Sequence, residues 1–418
     1  MRMTALIFVL ALFWACSDRE RANPFDPLNP ETDGTPAGTS ISSQRDTVFI
    51  RWSPMEIDDI VNYTIYRSIN SAPFETLVAL DPENAGYEDT DIFYDQTYRY
   101  ALQVFTLHDA SALSDTLRII PGPVNFWVSD FNGFDVRRIT YDGAHILRWE
   151  SFSAPIAIEY SPAYGRCYIA DYWEKQISIV NKNLSVLATI PLQDWPVDME
   201  IDNESQKLYI LLKDEDYLAE YSLNGQLLNL NRMPFDITNY TTFAYDPISS
   251  SFWFYDPSLG TVHVAPAAIP NSLTSTSVSI VNPGKIKADP ILSGCWVPSQ
   301  SGIYFLRLYG APLSLKTDYH ILDLSINPLN GDCYYVGYQR DTNQWETGRL
   351  IASRNYTDEV ILDNAYPGLY KIQAIPGYSP QGFIAFQSDT WKLLRFDTRG
   401  IRIGELEYFG TRLDIVVE

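Results

Sequence analysis

The stretch SPAYGRCYIAD, residues 161–171, contains a turn followed by a short strand that ends on Asp171. Its strand carries the pair Cys167–Tyr168, an apolar residue followed by an aromatic one. Similar pairs recur along the chain, and their first members are residues 126, 167, 208, 252, 295, 333 and 383. Successive first members are 41, 41, 44, 43, 38 and 50 residues apart. The strand–turn–strand unit is therefore an internal repeat.

A repeat of this length built from short strands predicts a β-propeller. Asp142-Gly143 and Asn224-Gly225 are strong hairpin signals late in two of the repeats. Arg412–Val417 has the pattern of the strand that opens each repeat, but no repeat follows it. We expect this strand to close the ring, which gives seven blades over residues 124–418. Six blades is the alternative, because the fifth repeat is short and irregular. This part resembles NHL and YVTN-like propellers, which implies an architecture and little about function.

Residues 39–121 alternate apolar and polar positions over several short runs separated by turn formers, which predicts a β-sandwich. Trp52 and Tyr98, with Tyr100 and Gln103-Val104 continuing the pattern, resemble the tryptophan and tyrosine positions of a fibronectin type III domain. The resemblance implies a spacer or adhesion module without catalysis. The whole chain is therefore expected to be all-β. The aromatic content of 14% and the scarcity of amphipathic helical patterns agree with this.

Residues 1–16 have the features of an export signal: Arg2, an apolar run of about eleven residues from Thr4 to Trp14, and then Cys16. They resemble a bacterial lipoprotein signal, although Phe13 and Trp14 depart from its usual residues. The resemblance implies cleavage before Cys16 and lipidation of that cysteine. An ordinary signal peptide or an uncleaved anchor is the alternative. The Pro-rich residues 17–38 would then be a tether. We expect an exported, membrane-anchored protein of the cell envelope, with the leaflet left open.

The net charge of −22 and the sequence pI near 4.5 oppose nucleic-acid binding, which requires a basic surface. Cys167, Cys295 and Cys333 occupy the same repeat position as several apolar residues. Equivalent strands of neighbouring blades usually lie too far apart for a disulfide. These cysteines are therefore expected to be small buried hydrophobic residues, and no cluster has the spacing of a zinc site.

The loops that follow the aromatic strands carry acidic and aromatic residues, and in a propeller such loops converge on one face. Carboxylates beside aromatic rings could bind a glycan, and oxygen ligands could hold calcium. The alternative is that each Asp closes its own turn by accepting N–H bonds. The candidate residues of this loop face are Asp130, Asp171, Tyr172, Trp173, Asp214, Asp256, Asp341, Trp345, Asp389 and Trp391.

No catalytic residue is assigned from the sequence. Nucleophile elbows and phosphate-binding glycine loops do not occur, and no local spacing selects an acid–base pair. His320 is the one histidine expected near a central channel. The leading hypothesis is non-catalytic binding of a surface protein or polysaccharide, with no cofactor required. A propeller lyase or hydrolase with a channel site is one alternative, and a purely structural envelope component is the other.

Overall fold

The computed structural model describes Phe25, Asn29 and residues 34–418, apart from residues 56, 58, 109, 378–381, 408 and 411. The predicted signal peptide, Cys16 and nearly all of the tether lie outside these residues. Within them the chain is almost entirely β, and the one helix is the 3₁₀ turn Ala352–Arg354. None of the described helical residues forms a segment long and apolar enough to cross a membrane. The chain divides into two compact units, Met1–Pro123 and Val124–Glu418.

The first unit contains two antiparallel sheets. One has the strand order β1-β2-β5, and the other has the order β4-β3-β6-β7. Trp52, Tyr63, Tyr98 and Tyr100 are buried in one core, with the rings of Trp52 and Tyr63 5.4 Å apart. The strands are β1 (Ser40–Gln44), β2 (Thr47–Arg51), β3 (Ile60–Ile69), β4 (Glu75–Leu80), β5 (Gly86–Asp89), β6 (Tyr98–Thr106) and β7 (Leu117–Ile119).

The second unit contains seven four-stranded antiparallel sheets that follow one another along the chain. Sheet 1 is formed by β8 (Phe126–Asp130), β9 (Asp135–Ile139), β10 (Ile146–Trp149) and the C-terminal β35 (Leu413–Val417). Sheet 2 is formed by β11 (Pro155–Ser161), β12 (Arg166–Asp171), β13 (Gln176–Asn181) and β14 (Val186–Pro191). Sheet 3 is formed by β15 (Pro196–Asp202), β16 (Lys207–Leu212), β17 (Tyr217–Ser222) and β18 (Leu227–Arg232). Sheet 4 is formed by β19 (Thr242–Asp246), β20 (Ser251–Asp256), β21 (Thr261–Pro266) and β22 (Thr274–Ser279).

The remaining three sheets have the same order of strands. Sheet 5 is formed by β23 (Lys287–Ala288), β24 (Cys295–Ser299), β25 (Gly302–Leu306) and β26 (Leu313–Leu315). Sheet 6 is formed by β27 (Tyr319–Ile326), β28 (Cys333–Gln339), β29 (Trp345–Ile351) and β30 (Thr357–Asp363). Sheet 7 is formed by β31 (Leu369–Ala374), β32 (Phe383–Gln387), β33 (Lys392–Phe396) and β34 (Arg402–Glu407). Sheet 5 has the shortest strands, as its irregular sequence predicts.

The repeated aromatic strands form the interior of these sheets. Adjacent residues of a strand point to opposite faces, so both members of a pair are buried only if neighbouring sheets cover both faces. The aromatic members all have less than 5% exposure, which confirms the predicted packing role: Trp127, Tyr168, Tyr209, Trp253, Trp296 and Tyr334. Cys167, Cys295 and Cys333 are buried and free, as expected for small hydrophobic residues at this position.

The last strand joins the beginning of the second unit to its end. β35 pairs with β8 from Leu413↔Asp130 to Val417↔Phe126, so the pairing predicted for the C-terminal strand is present. Beyond β35, the Glu418 carboxylate accepts bonds from Arg138 Nε at 2.6 Å and from Arg138 Nη2 at 2.9 Å. Both side chains are buried. The pairing removes a free sheet edge and adds a buried, bidentate ion pair.

Candidate functional site in the central channel

One edge strand of each sheet, here called its first strand, lies at the centre of the second unit. In sheet 1 the first strand is the C-terminal β35. In spatial order these strands are β35, β11, β15, β19, β23, β27 and β31. Each contacts the next, and β31 contacts β35. They therefore surround a central channel. The beginning of each first strand lies beside the end of the second strand of its sheet, as Pro196 beside Leu212 and Leu413 beside Asp130 show. The loop from the second to the third strand follows directly, so we call this end of the channel the loop end. The opposite end is called the turn end.

Two rings of side chains line this channel. Residues two apart in a strand share a face, so the register places one channel residue per strand in each ring. The first ring, nearer the loop end, contains Asp414, Ala157, Asp198, Thr242, Lys285, Asp323 and Lys371. The second ring contains Val416, Glu159, Glu200, Ala244, Lys287, Ser325 and Gln373. Together the rings hold five carboxyl groups and three lysines.

Lys285 crosses the channel and joins carboxylates from two other sheets. Its Nζ lies 3.1 Å from Asp198 Oδ1 and 3.3 Å from Asp414 Oδ2. Burial alone would lower the pKa of Lys285, but Asp198 and Asp414 outweigh burial and hold that pKa well above its ordinary value. Burial would likewise raise the pKa of Asp414, but Lys285 and two further lysines lower it to about 2. Lys285 and Asp414 are therefore both charged at neutral pH.

The carboxylates of the first ring also hold neighbouring first strands together. Asp414 Oδ2 accepts a bond of 3.3 Å from the backbone N–H of Ile158, which links sheets 1 and 2. Asp198 Oδ2 accepts a bond of 3.1 Å from the N–H of Phe243, which links sheets 3 and 4. Asp323 Oδ2 accepts a bond of 3.0 Å from the N–H of Ile372, which links sheets 6 and 7. Each of these carboxylates therefore joins the first strands of two neighbouring sheets.

Glu159 and Glu200 of the second ring differ from the first-ring carboxylates. Within the described residues, neither side chain has a hydrogen bond or an ion pair shorter than 4 Å. Burial raises the pKa of Glu159 to about 7, although Lys285 opposes the shift. Burial and the nearby Glu159 raise the pKa of Glu200 well above its ordinary value. Both carboxyl groups can therefore take up a proton or form an ion pair with a cationic group.

A cavity of about 820 Å³ opens at the loop end. Its floor includes Lys285 and Lys371 of the first ring, and its rim includes Tyr240, Tyr370 and Arg412. Tyr240 is 81% exposed and Tyr370 is 40% exposed. The Arg412 guanidinium lies over the ring of Phe131 at 4.6 Å, and burial lowers its pKa. The cavity therefore combines exposed aromatic rings with charged groups and hydrogen-bonding groups.

A second cavity, of about 510 Å³, opens at the turn end. Its charged lining residues are Glu159, Glu200, Asp202, Glu204, Asp289 and Lys287. Five carboxyl groups and one ammonium group therefore line this cavity, and burial favours the uncharged form of Glu159 and Glu200. The prolines of three successive turns, Pro247, Pro290 and Pro328, border it directly.

The structure separates the predicted loop-face residues into two classes. Asp130, Asp171 and Asp256 are buried, and each accepts N–H bonds that close the loop after its strand, including those from Gly133, Glu174 and Ser258. This is the turn role that was the alternative for each Asp. Exposed residues form the second class: Trp173, Asp214, Asp341, Asp389 and Trp391.

Two predicted aromatic residues lie between these classes. Tyr172 is buried and packs against Trp173, with ring centroids 4.8 Å apart. Its Oη lies 3.5 Å from Oδ1 of Asn239, a lining residue of the loop-end cavity. Trp345 is partly buried against Tyr338. Tyr172 thus connects the predicted loop face to the cavity, whereas Trp345 packs on a neighbouring ring.

His320 does not line the channel cavities. Its Nδ1 lies 2.6 Å from Tyr338 Oη, and burial with the nearby Arg340 lowers the pKa of the imidazole. Among the described residues, neither cavity contains a histidine. That part of the chain also has no group of three or more His, Cys, Asp or Glu residues arranged to hold a metal ion. His320, which was expected near the channel, thus lies on the channel strand β27 but lines neither cavity.

The channel residues are absent from the set predicted from the sequence, although a signal for them exists. In sheets 2 to 6, the first-ring residue lies ten positions before the first member of the aromatic pair. This column contains Ala157, Asp198, Thr242, Lys285 and Asp323. Three charged residues at one position of a buried strand would have indicated a polar channel.

No protein-family model matches the chain, and neither does any curated protein. Solved structures do resemble it. A functionally unknown protein from Desulfotomaculum acetoxidans has a TM-score of 0.54 at 12% identity, over 70% of this chain and 98% of that one. A provisionally assigned 6-phosphogluconolactonase from Bacteroides fragilis has a TM-score of 0.51 at 11% identity, over 70% and 98%. A streptogramin B lyase has a TM-score of 0.50 at 10% identity, over 69% and 89%. At these identities the likeness shows the β-propeller fold alone.

Proposed function

We propose that this chain is an exported, lipid-anchored protein of the bacterial cell envelope that binds a surface polysaccharide without catalysis. Cys16 would carry the lipid, residues 17–38 would form the tether, and residues 39–121 would form a fibronectin type III-like spacer. The seven sheets of residues 124–418 would be the seven blades of the propeller. Membrane fractionation of a Cys16→Ala variant tests the anchor, because release of this variant in soluble form is expected and unchanged membrane partition contradicts it.

The loop-end cavity is the observation that carries the binding proposal. Sugar rings stack on exposed aromatic side chains, and their hydroxyl groups require nearby donors and acceptors. Tyr240 and Tyr370 supply the rings, while Asn239 and Arg412 supply polar groups at the same rim. Trp173 is 60% exposed and contacts Tyr172, which reaches Asn239, so the predicted loop face extends this surface. A volume of about 820 Å³ is adequate for a short oligosaccharide segment.

The binding is proposed to be non-catalytic because the carboxylates below the cavity are already occupied. Asp198 and Asp414 share Lys285 and accept backbone N–H bonds from neighbouring sheets. A general acid must carry a proton near neutral pH, and Asp414, with a pKa of about 2, does not. These groups fix the floor of the cavity and leave recognition to its rim.

A glycan array followed by calorimetric titration of the full chain tests this proposal. We expect specific glycan binding that is weakened at least about fivefold in Tyr240→Ala, if loss of one stacking ring removes about 1–3 kcal/mol, as it does for a base stacked on an aromatic side chain. Tyr309→Ala is the matched control, because Tyr309 is 90% exposed but lies in the loop between β25 and β26, away from the loop end. Equal effects of the two substitutions, or binding of no glycan, would contradict the proposal and favour a protein partner.

A channel enzyme is the second candidate, and Glu159 favours it. A carboxyl group with a pKa of about 7 can donate and accept protons at neutral pH, as a general acid or base must. Glu159 lines the turn-end cavity, so a substrate would enter from that end. Turnover of a glycan or lactone that is abolished in Glu159→Gln would support this candidate, whereas turnover that persists in this variant would exclude Glu159 from the reaction.

A further inference from the structure

The turns between first and second strands present aliphatic side chains at the turn end. In sheets 4, 5 and 6, each turn contains Asp or Asn, then Pro, then one or two aliphatic residues. The aliphatic side chains are 42–50% exposed: Ile248, Ile291, Leu292 and Leu329. One exposed aliphatic residue is ordinary, but the same exposure in three successive turns forms a patch.

The backbone of each turn is held by its leading Asp or Asn side chain. Asp246 Oδ1 accepts the N–H of Ile248 at 2.9 Å. Asp289 Oδ1 accepts the N–H of Leu292 at 2.7 Å, together with that of Ile291 at 2.8 Å. In sheet 6, Asn327 Oδ1 accepts the N–H of Leu329 at 3.0 Å. The aliphatic side chains are therefore presented by ordered backbone, which lowers the entropy cost of binding.

Contacts between sheets join the turns into one surface. Asp246 Oδ2, in sheet 4, accepts a bond of 2.9 Å from Ser293 Oγ in the turn of sheet 5. In the next turn, Ile291 Cδ1 lies 3.3 Å from the position that a Cβ on Gly331 would occupy. The turns of sheets 4, 5 and 6 therefore adjoin one another at the turn end.

This apolar patch borders the acidic cavity. Pro247, Pro290 and Pro328, which precede the aliphatic residues, belong to the cavity lining. Within that cavity, Glu159 and Glu200 are carboxyl groups with no hydrogen bond or ion pair in the described part of the chain. An occupant that satisfies both features must carry a cationic group beside apolar side chains.

We propose that the turn end is a docking surface for a protein segment in which a lysine or arginine is flanked by apolar side chains. The cationic side chain enters the cavity toward Glu159 and Glu200, and its apolar neighbours pack on Ile248, Ile291, Leu292 and Leu329. Charge complementarity selects this occupant. A second copy of this chain carries the same net charge of −22, and an anionic membrane surface is repelled in the same way. The docking surface is at the opposite end of the channel from the cavity proposed to bind glycan, so failure of one proposal does not affect the other.

Binding of two short synthetic peptides to the full chain, followed by fluorescence anisotropy, tests the docking surface. Both peptides have leucines around the central residue, which is lysine in one and glutamate in the other. We expect the lysine peptide to bind at least tenfold more tightly, because an ammonium group favours the ionised form of the carboxyl groups in the cavity, whereas a glutamate adds a further carboxylate to them. Added salt should weaken this binding, since part of it is electrostatic.

Glu200→Gln and Leu292→Ser should each weaken the lysine peptide about tenfold. Leu259→Ser is the matched control: Leu259 is 65% exposed but lies in the loop between β20 and β21, at the loop end, so binding should not change. All three substitutions are conservative in shape or lie on exposed residues, and unchanged thermal unfolding verifies the fold. Failure of both peptides to bind, or equal binding of both, overturns the proposal. Sensitivity to Glu200→Gln without sensitivity to Leu292→Ser would also overturn it, because the site would then take a cation and not a peptide.

Discussion

Replacement of Lys285 by methionine should destabilise the second unit severely. Lys285 is the cation between Asp198 and Asp414, at 3.1 and 3.3 Å, and the exposed fractions of the three side chains are only 12%, 7% and 10%. Methionine has a similar length but no charge, so packing is largely retained. Two buried carboxylates from different sheets would then face each other without their shared ammonium group.

The size of the effect follows from the burial of this cluster. Removal of one partner from a buried ion pair typically costs about 3–5 kcal/mol, because the remaining charge is left uncompensated. Lys371 and Lys287 persist nearby, and the carboxylates keep their backbone donors, so we expect about 3 kcal/mol. The loss should shrink as the pH falls below about 4. In the unsubstituted chain the folded-state pKa of Asp414 is about 2, against 3.8 for the free group, so its pairing with lysine contributes stability above about pH 4 that protonation removes as the pH falls toward 2, and the variant has less of this stability to lose.

Equilibrium unfolding by urea, followed by tryptophan fluorescence at neutral and acidic pH, measures this loss. The buried Trp127, Trp253 and Trp296 report on the second unit. Lys287→Met is the control, because Lys287 lines the same channel but has no ion pair in the described residues. We expect the control to lose less than about 1 kcal/mol. A Lys285→Met variant as stable as this control, or a loss that does not depend on pH, would refute the role assigned to the lysine.

Two further predictions concern the ring and its second layer. Deletion of Leu413–Glu418 removes the strand paired with β8 and leaves Arg138 buried without its carboxylate. The unfolding temperature should therefore fall by at least about 6 °C. A melting curve like that of the intact chain would contradict ring closure by this strand. The pKa of Glu159 is about 7 in the folded chain, against 4.5 for the free group, so the folded state binds more protons than the unfolded state. The free energy of unfolding should therefore fall by at most about 3 kcal/mol as the pH rises from 5 to 8. Glu159→Gln should flatten this dependence in urea unfolding at the two pH values, and equal slopes for both proteins would show that Glu159 is not perturbed.

The repeat pattern predicted the parts of the fold that depend on local sequence. The aromatic pairs are buried, the repeated cysteines are free and buried, and the C-terminal strand pairs with β8. Each of these follows from strand periodicity and from the spacing of turn formers, which a chain carries without reference to its tertiary neighbours.

The candidate sites were harder to predict because their residues are distant in sequence. Asp130, Asp171 and Asp256 were candidates because they follow successive aromatic strands, but in the structure each accepts an N–H bond from its own loop. The exposed Trp173 is common to the predicted loop face and to the surface around the loop-end cavity. His320 was expected near the channel because it stands at an entering strand, and in the structure its Nδ1 pairs with Tyr338 Oη.

Alternating hydrophobicity and turn chemistry act over a few neighbouring residues, so a repeated all-β unit can be predicted from the amino-acid sequence. The meeting of Asp198, Lys285 and Asp414 depends on the folded ring, since these residues come from three sheets and up to 216 positions separate them. Register within each strand places a side chain on the channel, but the order of the sheets around the ring decides which charges become partners. That order, set by closure of β35 on β8, also places an aromatic rim at one end of the channel and an acidic, apolar-rimmed cavity at the other.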